Sequence, residues 1–183
     1  AAFADFIAGT QLYAAIVTAL LRRETTRQCA IVDISMQDCV FPTLATTIGS
    51  FYAQGKQMPR AGNRHTGNTL APYNTYVASD GYIAIICTRE GHFKKLCQAM
   101  DRPELASDPR FHNCAARCQN VTWLDAETTR WSAPKSRQTL LALTQAHGVI
   151  CAPVTHLSEV VTDPHMTARG SLHQRPHETL GMI

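Results

Sequence analysis

Two short apolar segments joined by a turn sequence constrain the fold more than any other feature of this chain. Residues 73–77 and 82–87 are rich in β-branched and aromatic side chains, and Ser79-Asp80-Gly81 stands between them. A small polar turn that ends in glycine between two such segments is typical of a β-hairpin. The sequence therefore predicts an antiparallel pair of strands near the middle of the chain.

Helical periodicity predicts most of the remaining elements. Apolar residues recur at helical spacing over residues 5–23, which predicts a long buried helix. A strand at 30–35 and a second helix at about 36–52 follow, and this order suggests a piece of a doubly wound α/β layer. Beyond the hairpin, the pattern predicts helices at 91–100, 114–129, 135–147, 157–162 and 163–169 and a strand at 150–153.

Composition and charge narrow the class of protein. Apolar residues make up 45% of the 183 residues and charged residues 17%, as in an ordinary soluble globular protein. The formal charge of +3 comes without a dense Lys/Arg stripe, so we expect no nucleic-acid partner, and it is compatible with anionic substrates. The apolar stretch up to Leu21 is interrupted by Asp5 and Gln11 and lacks a basic leader, so we expect no membrane partner.

The cysteines predict neither disulfides nor a metal site. The seven cysteines are odd in number and irregularly spaced, so we interpret them as reduced thiols of a cytoplasmic protein. Cys114, Cys118 and the nearby His112 are too close together, and they lack the second pair of ligands that a structural zinc site requires. No metal is therefore expected.

A polar connection before the hairpin carries the strongest signal for a binding site. Arg60, Asn63 and His65 lie in it, and Gly67 allows a ligand to approach the backbone closely. Cationic side chains and free backbone N–H groups in one loop suit an anionic small molecule. A solvated basic loop explains the same residues equally well.

Two carboxylates have both a structural and a functional interpretation. Asp5 stands at the start of a helix, where the helix dipole favours an acid. The same setting keeps a nucleophilic carboxylate ionised in apolar surroundings. Glu90 lies just beyond a predicted strand end, where α/β-type sites often collect catalytic groups, but it also suits an ordinary helix N-terminus. The spacing alone leaves both interpretations open.

Nine short motifs along the chain, taken in order, indicate a resemblance to a known family. They are Asp5-Phe-Ile-Ala-Gly9, the long helix to Arg23-Glu24, Val32-Asp-Ile-Ser-Met-Gln-Asp38, Arg60-x-Gly-Asn-x-His65, Ala71-Pro-Tyr73, Asp80-Gly-Tyr82, Asp108-Pro-Arg-Phe111, Gly148-Val-Ile-Cys-Ala-Pro153 and Asp163-Pro-His165. Their order and spacing, over nearly the whole chain, resemble those of the family III CoA-transferases, the formyl-CoA transferase or CaiB/BaiF-like proteins.

The resemblance implies an α/β fold, with part of a Rossmann-like large domain plus a smaller α/β domain, in a family of interlocked homodimers. Residues 1–55 would belong to the large domain and carry the nucleophile helix, and 56–70 would form a linker and active-site loop. Residues 71–165 would form the small domain, and 166–183 would return toward the large domain. By this pattern the chain is an internal fragment that lacks both ends.

The resemblance also implies an activity. Asp5 matches the family's nucleophilic aspartate, which would carry CoA between carboxylic acids as an aspartyl-CoA thioester. The substrates would be carboxylic acids and acyl-CoA, that is, thioesters of coenzyme A. Coenzyme A would thus enter as part of a substrate, and no cofactor would be bound permanently. The residues expected to bind CoA or line the active site are Arg60, Asn63, His65, Gly67 and Glu90.

Two alternatives to the transferase stay open. An α-methylacyl-CoA racemase shares the fold and the aspartate, and Glu90 stands about where the racemases carry a further acidic residue. A catalytically inactive, truncated fragment that binds a partner chain is the other alternative.

Three positions depart from the family pattern. Arg27, Cys29 and Thr66 stand where relatives commonly have glycine. If the backbone is left-handed at such a position, a residue with a Cβ atom costs about 1 kcal/mol there.

Overall fold

The computed structural model describes residues 2–183, which fall into two compact units. The first unit runs up to Ala61 and the second spans Gly62–Ile183. The division lies inside the predicted linker at 56–70. The assignment of the two units to a large and a small domain stays a prediction, and each unit is described by itself.

The described part of the first unit is helical. It contains α1 (Phe3–Thr26), α2 (Met36–Val40), a 3-10 helix (Phe41–Leu44) and α3 (Ala45–Gln54). The single helix predicted at 36–52 is thus divided, because Pro42 has no N–H with which to continue the α-helical hydrogen bonds. Ser35 caps α2 by accepting a hydrogen bond from the Asp38 N–H at 3.3 Å, and Gly55 ends α3 with a φ of 63°.

Two predictions for the first unit are wrong. Residues 30–35 form no strand, since a strand depends on hydrogen bonds to a neighbouring strand and the described residues up to Ala61 contain no strand. The helix at 5–23 exists but is not buried. Within α1 only Ala8 is buried, while Ile16 and Leu20 are exposed, because α1 packs against α2, which has only five residues to cover it. By length and apolar composition alone, α1 also qualifies as a candidate membrane span.

An antiparallel three-stranded sheet organises the second unit. Its strands are β1 (Tyr73–Ala78), β2 (Gly81–Ile86) and β3 (Ile150–Val154), in the order β1-β2-β3. The predicted hairpin is confirmed, since Ala78 pairs with Gly81 across Ser79 and Asp80. Gly81 has a φ of 141°, which residues with a Cβ atom rarely adopt.

Helices and a short second hairpin complete this unit. They are α4 (Glu90–Ala99), a 3-10 helix (Pro103–Ser107), α5 (Cys114–Gln119), α6 (Val121–Ser132), α7 (Arg137–Ala146), α8 (Leu157–Val160), α9 (Pro164–Ala168), β4 (Pro176–His177) and β5 (Gly181–Met182). The helices predicted from the periodicity are confirmed, except that 114–129 is divided at Asn120. The β4–β5 hairpin was not predicted.

The two faces of the sheet differ in what covers them. One face contributes to a core with α4, α6 and α7, and its largest members are Tyr76, Ile83, Ile85, Phe93, Leu96, Phe111, Leu124 and Leu140. On the other face, Val77, Tyr82 and Val154 are paired across the strands and are between 43% and 53% exposed. Apolar residues on both faces explain the continuous apolar run of β2. The predicted combination of helices and sheet is confirmed.

The end of α1 yields a stability prediction. Arg27 is the left-handed residue that ends this helix, with a φ of 56°, whereas Cys29 is not left-handed. Because glycine adopts this conformation without the Cβ clash, we expect Arg27→Gly to raise the free energy of unfolding by about 1 kcal/mol. Urea denaturation of the purified chain measures the change. Arg27→Ala keeps the Cβ atom and serves as the control. An equal rise in the free energy of unfolding in both variants would show that the backbone at Arg27 is not strained.

Candidate active site

Asp5 lies in the first turn of α1 and is exposed. It borders a cavity of about 500 Å³ in the first unit, whose other lining residues are Ala4, Met36, Gln37, Val40, Phe41 and Leu44. Asp5 therefore presents an accessible carboxylate beside a largely apolar cavity, which suits a nucleophile that acts on a partly apolar ligand.

Residues 62–70, here called the site loop, are attached to β1. Asn63 Nδ2 donates a hydrogen bond to Thr75 Oγ1 at 2.8 Å. The His65 ring packs edge-on against the Tyr73 ring with centroids 5.0 Å apart, and Thr69 Oγ1 lies 3.0 Å from His65 Nδ1. The structure thus brings two predicted site residues, Asn63 and His65, to the same strand.

Left-handed backbone shapes the second half of the site loop. Gly67 has a φ of 82° and Asn68 a φ of 50°. Asparagine tolerates this conformation better than most residues, and here the Asn68 side chain donates a hydrogen bond to the Cys118 carbonyl at 3.0 Å. Thr66 is not among the left-handed residues of 2–183, so the strain expected from the loss of a glycine does not arise at this position.

Glu90 is the counter-ion of a buried arginine. The Arg117 side chain is 1% exposed, and its guanidinium lies 2.6 Å from the Glu90 carboxylate. The same guanidinium donates to the Ala71 carbonyl at 2.7 Å and to the Phe111 carbonyl at 3.1 Å, and it lies over the Phe93 ring. The hydrogen bond from Arg117 holds the pKa of Glu90 below its usual value of 4.5. Glu90 is therefore held as a carboxylate that neutralises Arg117.

A short path of contacts connects Glu90 to the site loop. Glu90 Oε1 accepts a hydrogen bond from the Cys114 N–H at 3.0 Å, and the Cys114 thiol donates to the Thr69 carbonyl at 3.2 Å. Thr69 in turn contacts His65. The start of α5 is thus the link between the ion pair and the loop.

Asp125 is a residue that the sequence did not single out. Its carboxylate accepts hydrogen bonds from Arg64 Nε at 2.7 Å, from Asn74 Nδ2 at 3.1 Å and from the Tyr76 hydroxyl at 2.8 Å. Burial, and then the Asp125 charge, raise the pKa of Tyr76 well above its usual value. Asp125 fixes the side chain of Arg64, which lies between Asn63 and His65. No local motif reveals it, since its partners lie 49 to 61 residues away in sequence.

The predicted site residues fall into two groups. Asn63, His65 and Gly67 lie on the site loop in the second unit, and Glu90 reaches that loop through α5. Asp5 and Arg60 belong to the first unit, where Arg60 is exposed. Their roles in binding or catalysis stay predictions.

The buried arginine yields a second stability prediction. We expect Arg117→Met to lower the free energy of unfolding by about 3 kcal/mol, because it leaves the buried Ala71 and Phe111 carbonyls without their donor. Arg110→Met is the matched control, since Arg110 is 47% exposed and its pair with Asp108 is worth under about 1 kcal/mol. Chemical denaturation measures both. If both variants lose the same free energy of unfolding, the buried contacts of Arg117 do not stabilise the fold more than an exposed ion pair does.

Known proteins resemble this chain along most of its length. The chain is 34% identical over 157 residues to a succinyl-CoA:mesaconate CoA-transferase of Haloarcula hispanica, a match that covers 86% of this chain and 38% of that protein. It is 32% identical over 168 residues to an acetyl-CoA:oxalate CoA-transferase of Acetobacter aceti, which covers 92% of this chain and 43% of that protein. The chain therefore spans about two fifths of the length of these curated relatives.

The fold has solved counterparts. A crystal structure of a CAIB/BAIF family protein from Brucella suis matches with a TM-score of 0.75 and 31% identity, over 100% of this chain and 50% of that one. The family model described as CoA-transferase family III matches residues 1–183. This match includes the residues of α1. The chain belongs to CoA-transferase family III.

Proposed function

We propose that this chain carries the nucleophile of a CoA-transferase that moves CoA between carboxylic acids through an aspartyl-CoA thioester on Asp5. The position of Asp5 is the observation that carries the proposal. Its carboxylate is exposed in the first turn of a 24-residue helix and borders a cavity of about 500 Å³. The names of the curated relatives support CoA transfer as the reaction class.

The first half of the reaction transfers CoA to the enzyme. A carboxylate oxygen of Asp5 attacks the acyl carbon of the donor thioester, the C–S bond breaks, and CoA leaves as the thiolate. The resulting mixed anhydride is then attacked by that thiolate at the Asp5 carbonyl carbon. The donor acid departs with one oxygen that belonged to Asp5, and Asp5 is left as the CoA thioester.

The second half reverses these steps with an incoming acid. The acceptor carboxylate attacks the Asp5 thioester, CoA thiolate leaves, and the thiolate attacks the acceptor carbon of the new anhydride. The new acyl-CoA departs, and Asp5 regains a carboxylate with one oxygen from the acceptor. Water must be kept from the anhydride and the thioester, and the apolar cavity walls beside Asp5 suit that requirement.

The site loop is proposed to bind the acyl-CoA. Gly67 has a positive φ and no Cβ atom, so a ligand can approach the backbone closely at this position. Thr69 engages His65 Nδ1, so a ligand would meet the ring at Nε2. Asn63 and Arg60 are proposed to supply further polar contacts to CoA or to the acid.

We further propose a cytoplasmic homodimer with no permanently bound cofactor. All seven cysteines are free, which suits a reducing compartment. The exposed apolar side chains of α1 suit burial against further protein surface. The racemase alternative has less support, because Glu90, the further acidic residue that keeps it open, is engaged by Arg117 and by the Cys114 N–H.

Trapping with hydroxylamine tests the proposed nucleophile. We expect a chain incubated with succinyl-CoA and hydroxylamine to carry a hydroxamate on Asp5, because hydroxylamine attacks the thioester carbonyl. Trypsin releases residues 1–22, in which Asp5 is the sole acidic side chain, so peptide mass spectrometry assigns the adduct directly.

Two variants control for this trapping experiment. Asp5→Asn is expected to carry no hydroxamate. Asp38→Asn removes another exposed acid from the first turn of a helix and is expected to leave the adduct intact. A hydroxamate outside residues 1–22, or none in the unmodified chain, would contradict the assignment of Asp5.

A further inference from the structure

Two cysteines of α5 form a dithiol beside the site loop. Cys114 is the first residue of this helix and is partly exposed, and Cys118 is 7% exposed. Both side chains belong to a small apolar cluster with Ala71 and Val121. Residues four apart in a regular helix have Cα atoms about 6.2 Å apart. This separation is within the limit of about 6.8 Å for a disulfide, but the Cβ atoms of such a pair lie about 5–6 Å apart, wider than the roughly 4 Å of a disulfide, so the bond forms only if the α5 backbone shifts.

Both cysteines hold the site loop through hydrogen bonds. The Cys114 thiol donates to the Thr69 carbonyl at 3.2 Å, and the Cys118 carbonyl accepts from Asn68 Nδ2 at 3.0 Å. Thr69 also contacts His65 Nδ1 at 3.0 Å. A disulfide sulfur carries no proton, so a Cys114–Cys118 bond would remove the donor to Thr69. It would also distort the six-residue α5, whose Cys118 carbonyl accepts the hydrogen bond from Asn68.

Two other cysteines of the second unit, Cys87 and Cys97, are buried and less suited to oxidation. Burial raises the pKa of Cys87 and of Cys97 to about 12, so both stay protonated and unreactive. Burial, and then the neighbouring Cys114 sulfur, raise the pKa of Cys118 to about 11. The more exposed Cys114 therefore meets an oxidant first, and Cys118 is the thiol that resolves the product.

We propose that Cys114 and Cys118 form a reversible disulfide, with a small disulfide such as oxidised glutathione as the oxidant, and that this bond releases the site loop. Cys114 loses its proton to solvent and attacks one sulfur of the oxidant, and one glutathione leaves as the thiolate. Cys118 then loses its proton and displaces the second glutathione from the mixed disulfide. The two cysteines lose two electrons, and the oxidant gains them as two thiols. The proposal does not depend on the transferase activity.

Peptide mapping tests the bond itself. The purified chain is incubated with oxidised glutathione, alkylated in acid, denatured and digested with trypsin. Cleavage after Arg117 separates the two cysteines, so their disulfide joins peptide 111–117 to peptide 118–130. We expect this pair, and we expect dithiothreitol to separate it. Mixed glutathione disulfides alone, or a bond from either cysteine to Cys29 or Cys151, would overturn the proposal.

Amide hydrogen exchange tests the release of the loop. The Asn68 N–H donates to the His65 carbonyl at 3.0 Å and reports on the loop, while the amides of β2 report on the core. We expect oxidation to accelerate exchange at Asn68 about fivefold, the effect of one lost hydrogen bond, with no change in β2. If the Asn68 amide exchanges at the same rate in the oxidised and in the reduced chain, the disulfide does not release the loop and the proposal is overturned.

Two variants separate the loss of the donor from the formation of the bond. Cys114→Ser cannot form the disulfide but keeps an O–H donor for Thr69. Oxidised glutathione is therefore expected to leave the exchange rate of the Asn68 amide unchanged in this variant. Cys114→Ala lacks the donor and is expected to exchange fast at Asn68 without any oxidant. Slow exchange in Cys114→Ala would show that the thiol does not hold the loop.

Discussion

The second unit depends on one buried cation. The Arg117 guanidinium joins three segments that are far apart in sequence: the Ala71 carbonyl at the end of the site loop, the Phe111 carbonyl before α5, and Glu90 at the start of α4. A buried charge is tolerated only when it is paired and hydrogen-bonded. The end of the site loop, α4 and α5 are therefore held in one arrangement, while Asn63 and His65 are fixed by their own contacts with β1.

Local patterns predicted the second unit better than the first. The hairpin and most helices of the second unit were predicted because turn chemistry and apolar periodicity act over a few residues. The predicted strand at 30–35 was wrong because a strand depends on a neighbour, which local sequence does not supply. The burial of α1 was wrong for a related reason: its apolar residues, such as Ile16 and Leu20, show that the helix has a surface to cover, but not which partner covers it.

The site was predicted in part. The resemblance singled out the site loop, and the structure places Asn63 and His65 together against β1. Glu90 was singled out as well, but its partner Arg117 and the buried acid Asp125 were missed. The ion pairs of these two networks, Arg117 with Glu90 and Arg64 with Asp125, join residues 27 and 61 apart, so no spacing in the sequence marks them. The left-handed backbone at Arg27, by contrast, could be predicted from the sequence, because this residue stands where relatives commonly have glycine.

The identity of Asp5 as a covalent nucleophile is the central claim, and oxygen transfer tests it most directly. The chain is incubated with succinyl-CoA and an acceptor acid labelled with oxygen-18 in its carboxylate, and residues 1–22 are analysed by mass spectrometry. The account predicts that Asp5 gains the heavy oxygen as acyl-CoA of the acceptor accumulates, since each turnover leaves one acceptor oxygen on the nucleophile. Formation of the acceptor thioester without label in Asp5 would contradict the account.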